Sequence, residues 1–123
     1  MNARRNRPAS RRGPPPAAGA NVFALDASRI HVALARRGRY RYVRPRVERE
    51  SEGWKIVSPN CSRNVDPAGG DIDIAWFLPL GEGRWLLHAR DHAARAWRAT
   101  CGTRSLDAAL SLVCEDADRV YWP

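Results

Sequence analysis

Hydrophobic positions along the chain follow two periods, and each change of period marks an element. Ala27, Ile30, Ala33, Leu34 and Arg37 fall at helical spacing, which predicts a helix over roughly 27–37 with a narrow apolar stripe. Asp26 is placed to cap it, because a short carboxylate accepts one of the orphan amides at a helix start. Arg36 and Arg37 suit the negative pole of that helix, and Gly38 is a natural stop. From Arg39 the period becomes two. Arg39, Arg41 and Val43 alternate with Tyr40 and Tyr42 as in a half-buried strand, which Pro45 restricts to an edge or an end. Trp54 to Val57 predicts a short second strand ending at Pro59.

Between Ser58 and Gly70 no period survives. Pro59, Asn60, Ser62, Asn64, Asp66, Pro67, Gly69 and Gly70 are turn formers, so this stretch reads as a loop. Asp71 to Leu78 resumes as a strand, with Ile72, Ile74, Trp76 and Leu78 predicted on one face. Trp85 to Arg90 and Arg95 to Thr100 predict a hairpin turning at Asp91-His92-Ala93-Ala94, with Arg90 opposite Arg95 and His88 opposite Trp97. Leu106, Ala109, Leu110 and Val113 then repeat at i, i+3, i+4 and i+7 behind Ser105 as cap, predicting a helix. Glu115, Asp116 and Asp118 oppose its negative pole, so it should end near Cys114. The order is helix, about five strands, helix. Short connections imply an α+β fold: an about five-stranded antiparallel sheet with an N-terminal and a C-terminal helix packed on one face.

A length of 123 residues suits one domain, and 44% apolar content supports a modest core. No stretch reaches the roughly 20 apolar residues that cross a bilayer. Three cysteines cannot all pair, which argues against a disulfide framework and for a cytoplasmic protein with free thiols. The formal charge of +8 is unevenly spread: residues 1–20 carry +5, residues 21–49 carry +6, and residues 50–123 carry −3. Twenty of the 21 basic residues are arginine and one is Lys55, a ratio that a GC-rich genome produces without selection for phosphate binding. Residues 1–20 hold four prolines and no large apolar side chain after Met1, and are expected to form a disordered basic arm before a single domain over 21–123. Ser10-Arg11-Arg12 has the arginine pair of a twin-arginine signal, but Gly13 and three prolines follow where an apolar run belongs.

Trp85-Leu86-Leu87-His88-Ala89-Arg90-Asp91, then Trp97, then Leu106 to Leu110 and the terminal Val120-Tyr121-Trp122 together resemble domain of unknown function 3024, an uncharacterised bacterial family. The Ser58 to Asn64 stretch, followed by Ile72-Asp73-Ile74-Ala75, is also similar to its members. The resemblance covers about residues 39–123. Its motifs are aromatic and structural, and it implies no reaction, cofactor or ligand.

Three constellations could carry chemistry. The Ser58–Asp73 region gathers a thiol, a guanidinium, amides and carboxylates, and makes Asn60, Cys61, Arg63, Asn64, Asp71 and Asp73 ligand-binding candidates. A cysteine nucleophile needs a cation or base to hold its thiolate, and Arg63 is near Cys61, but no histidine is nearby in sequence. The plainer alternative is a loop held by its own side-chain-to-backbone bonds. His88 and His92, with Cys61 and Cys101, offer a weak zinc pattern: a strand running into a turn separates the two imidazoles, and there is no Cys-x-x-Cys pair. No metal or cofactor is therefore expected. The run Arg36, Arg37, Arg39, Tyr40, Arg41, Tyr42, Arg44 and Arg46 interleaves bases with rings, as a surface that stacks nucleobases and neutralises phosphates would. The five tryptophans read as core, and Cys101 and Cys114 as small buried hydrophobes.

With no nucleotide loop, catalytic triad or metal set in view, the reading leans away from an enzyme. It favours a non-enzymatic module that binds a macromolecule. RNA or DNA bound through the arm and the Arg36–Arg49 segment is the alternative, and a ligand or catalytic site in the Ser58–Asp73 loop is the third reading.

Overall fold

A computed structural model describes residues 16–37, 44–60, 65 and 67–123, with side chains from residue 24 onward. Helix α1 (Pro16–Arg36) leads into five strands and helix α2 (Leu106–Glu115). The strands are β1 (Arg46–Glu50), β2 (Gly53–Pro59), β3 (Asp71–Gly81), β4 (Arg84–Asp91) and β5 (Ala96–Thr103). They form one sheet in chain order, every neighbouring pair antiparallel.

α1 starts eleven residues before the expected position, 16 against 27. Pro16 opens it where no amide partner is needed, and the alanines at 17, 18, 20 and 24 carry it through. Asp26 is therefore not a cap: it lies inside the helix, 3.8 Å from the Arg29 guanidinium. The first fifteen residues of the expected arm lie outside the described residues, and 16–20 belong to α1. The strand expected over Arg39 to Val43 also lies outside them. β1 begins at Arg46, just past Pro45.

α2 matches its predicted pattern closely. Ser105 caps it by accepting the Ala108 amide at 3.0 Å, and Leu106, Ala109, Leu110 and Val113 are its buried face. It runs one residue past Cys114, to Glu115. Asp116 then turns left-handed (φ 43°) and, although buried, accepts three backbone amides of the C-terminal tail: Val120 at 2.7 Å, Tyr121 at 3.1 Å and Trp122 at 2.8 Å. Trp122 Nε1 donates to Val113 O at 3.0 Å, and the Arg37 guanidinium lies 5.0 Å from the Trp122 ring centroid. The tail is thus locked beneath both helices.

The core lies between the helices and one face of the sheet. Ile30, Leu34, Leu106, Leu110 and Val113 meet Ile56, Ile74, Ala75, Phe77, Trp85 and Leu87 there, sealed by Tyr121 and Trp122. Phe77 is fully buried, and truncating such a ring costs about 3–5 kcal/mol. Gly53 permits the closest backbone approach: a Cβ there would sit 2.0 Å from Phe77 O.

The expected alternation along β3 fails at a bulge. The β2–β3 register shifts between Ile56 and Val57, so Ile56 faces Ala75 and Val57 faces Asp73. Ile74 and Ala75 are both buried, and beyond them the phase reverses: Phe77 enters the core and Trp76 leaves it. The last hairpin turns at residues 92–95 rather than 91–94, and a second shift sits between Leu87 and His88. Arg90 therefore faces Trp97, not Arg95, and His88 faces Ala99, not Trp97.

Candidate functional site

Both helices pack on one side, and the other side of the sheet collects polar and aromatic groups. Lys55 is paired with Trp76, Trp76 with His88, and Arg90 with Trp97, so side chains of β2 to β5 meet on this face. The β3 bulge returns Asp73 to the same face, and Glu50 at the end of β1 completes the group.

The geometry is a closed network. The Trp76 and His88 ring centroids are 4.3 Å apart and tilted by 32°, with His88 Nδ1 3.3 Å from Trp76 O. Trp97 lies 6.0 Å beyond Trp76. Glu50 ties both indoles: Trp76 Nε1 donates to its carbonyl at 2.9 Å, and Trp97 Nε1 to its carboxylate at 3.0 Å. Lys55 Nζ lies 3.1 Å from Asp73 and 3.6 Å from Glu50. Arg90 approaches Asp73 at 3.7 Å while its guanidinium lies 4.9 Å from the Trp97 ring centroid. Lys55, Asp73 and Arg90 are only 18–20% exposed, which strengthens these pairs relative to surface ones worth about 0–1 kcal/mol. The consequence is positional: the network fixes two indoles and a guanidinium in place.

A cavity of about 460 Å³ opens at the Asp73–Arg90 end, lined by Val65, Asp71, Ile72, Asp73, Arg90, His92 and Arg95. Burial holds the His92 imidazole below its ordinary value of 6.5, and Arg90 pushes the same way, against the pull of Asp73 and Asp91. A larger groove of about 640 Å³ runs between α1 and α2, past Ala33, Arg36, Arg37, Leu110 and Cys114. Its walls are mainly apolar, and burial raises its thiol, Cys114, away from reactivity.

The family model described as Domain of unknown function (DUF3024) matches residues 20–123. The chain belongs to that family. No curated protein and no solved structure matches the chain. The match takes in most of α1 as well as the sheet and α2, so the DUF3024 unit includes both sides of the sheet and not only the part after residue 39. No helix among the described residues is long and apolar enough to cross a membrane.

Within this DUF3024 domain the expected sites disperse. Asn60 is buried, and its backbone N–H donates to Gly70 O at 2.7 Å, closing the mouth of the loop. Cys61, Arg63 and Asn64 lie outside the described residues. Asp71 is exposed and pairs with Arg46 at 2.9 Å, whereas Asp73 enters the network above. Of the basic run, Arg36 and Arg44 are exposed, Arg37 is buried, and Arg46 is engaged by Glu48 and Asp71. Arg39, Tyr40, Arg41 and Tyr42 lie outside the described residues. His88 sits on the sheet face and His92 in the cavity, and among the described residues no three His, Cys, Asp or Glu side chains are grouped as metal ligands. Trp85 and Trp122 are core as expected, and Trp54 packs against the core. Trp76 and Trp97 instead belong to the polar face, against the expectation that all five tryptophans are core.

Proposed function

We propose that the DUF3024 domain is a non-catalytic binding module whose macromolecular partner sits on the sheet face opposite the helices. The observation that carries this reading is the network on that face, where Trp76, Trp97 and Arg90 are held by Glu50 and Asp73. A merely solvated face has no need of bonded indoles, and the buried core lies on the other side. Lys55 is paired with both Glu50 and Asp73 within the network, which suits recognition better than proton transfer.

A second reading makes the partner single-stranded nucleic acid. It is supported by the strong basic excess of residues 1–49 beside a surface offering two indoles, since bases of any sequence stack on aromatic rings. The test is a salt series of binding to mixed-sequence RNA and DNA single strands, with the full chain and a chain lacking residues 1–15. Binding should weaken steeply with salt, and loss of the five arm arginines should flatten the log–log slope by up to about 3.5. Binding indifferent to salt, or none at low salt, removes nucleic acid as the partner.

A further inference from the structure

We propose that the cavity at the β4–β5 turn is a binding site for a small organic anion, with Arg90, His92 and Arg95 receiving its carboxylate or phosphate group. The acids of the lining are already neutralised from outside it, while its bases are left available. Asp71 already has Arg46 at 2.9 Å and Asp73 already has Lys55 at 3.1 Å, both cations lying outside the lining. The two carboxylates are thus neutralised from behind. Arg90 reaches Asp73 at 3.7 Å, beyond hydrogen-bond distance, so its N–H groups are not consumed by that contact. Among the described residues neither His92 nor Arg95 has a hydrogen bond or an ion pair, and both line the cavity.

Two guanidiniums and an imidazole therefore border one space of about 460 Å³, within the size range of small-molecule sites. Such donors suit a delocalised anion, because guanidinium forks match carboxylate and phosphate oxygens in pairs. Val65 and Ile72 add an apolar wall for the rest of the molecule. His92 makes the site pH-sensitive. It faces Arg90 and Asp91 of β4 and Asp73 of β3, with Asp71 and Arg95 in the same lining. Burial and Arg90 disfavour the imidazolium in the empty cavity and a bound anion favours it, so affinity rises as pH falls.

The experiment is a titration of the full chain with inorganic phosphate, sulfate and acetate, read from the His92 ring and the arginine Nε–H resonances by NMR. Saturable shifts at His92, Arg90 and Arg95 are expected. Saturation by phosphate and sulfate alone assigns a phosphate group, and saturation by acetate alone a carboxylate. Arg95→Gln lies on an exposed turn and should weaken binding about tenfold or more, as loss of a charge-assisted bond does. Arg90→Gln should do the same, whereas Arg98→Gln, whose partner is Asp91, should leave the titration unchanged. Sulfate stays a dianion across the range, so its tighter binding at pH 5.5 than at 7.5 reports His92 alone. Shifts that never saturate, an R95Q protein that titrates like wild type, or equal weakening by R98Q overturns the proposal. The result is independent of the sheet-face partner, because an R95Q chain can lose the anion while single-strand binding at Trp97 persists.

Discussion

Asp116 gathers three backbone amides of the C-terminal tail, and Asp116→Asn measures how far the tail depends on them. Its two carboxylate oxygens accept the amides of Val120, Tyr121 and Trp122 at 2.7–3.1 Å, in a site where the residue is 2% exposed. Asparagine keeps the shape and tolerates the left-handed backbone at φ 43°, but it removes the charge and turns one acceptor into a donor. At least one buried amide then faces an N–H, and the surviving bonds fall from charge-assisted to neutral strength. With bonds to charged groups at about 1.5–3 kcal/mol and neutral ones at about 0.5–1.5, the loss should be about 2–3 kcal/mol. For a domain of this size that lowers the melting temperature by roughly 8–20 °C. Thermal and urea melts followed by far-UV dichroism measure it, with Asp118→Asn at an exposed neighbour as control. An Asp116→Asn melt within about 2 °C of wild type would show that the tail is held by apolar packing of Tyr121 and Trp122 instead.

Gly53→Ala should be severe, because the new methyl meets the Phe77 carbonyl backbone at 2.0 Å; a loss of about 2 kcal/mol or more in a urea melt is expected, and an unchanged midpoint refutes the close packing of β2 on β3. Asp91 accepts the Ala94 amide and pairs with Arg98, which holds its carboxyl below 3.8; its support of the turn is complete above that value and fades as pH falls below it, so an NMR titration should place its midpoint under 3.8. Cys114 should react with a thiol reagent at pH 8 more slowly than a free cysteine, since burial raises its thiol; a rate equal to that of a model peptide contradicts the packing against Ala33.

What the sequence could show depended on whether the signal was local. Ser105 and the Leu106–Val113 stripe lie within ten residues, and their helix formed as the period demands. The one-sided packing of two helices on an antiparallel sheet followed from short connections between strands. The phase of β3 did not, because Ile72, Ile74, Trp76 and Leu78 alternate perfectly until one extra residue at Ile74–Ala75 reverses them, and a bulge is set by the partner strand. That one residue decides that Phe77 is core and Trp76 is not. The same gap explains the site. Asp73 was visible as a candidate, but Lys55, His88, Arg90 and Trp97 come from three further strands and share no linear motif. One trace of them was present, the single lysine in a chain otherwise basic through arginine, which now stands between Glu50 and Asp73.

Whether the sheet face opposite the helices is the binding surface is tested directly by amide chemical-shift mapping during a low-salt titration with mixed-sequence single-stranded RNA. Saturable shifts are expected on Trp76, His88, Arg90 and Trp97, including both indole N–H signals, with at least a tenfold loss of affinity in Trp97→Leu. Shifts confined to the groove between α1 and α2, or an unchanged affinity in Trp97→Leu, would contradict it, whereas absence of binding removes nucleic acid as the occupant of that face.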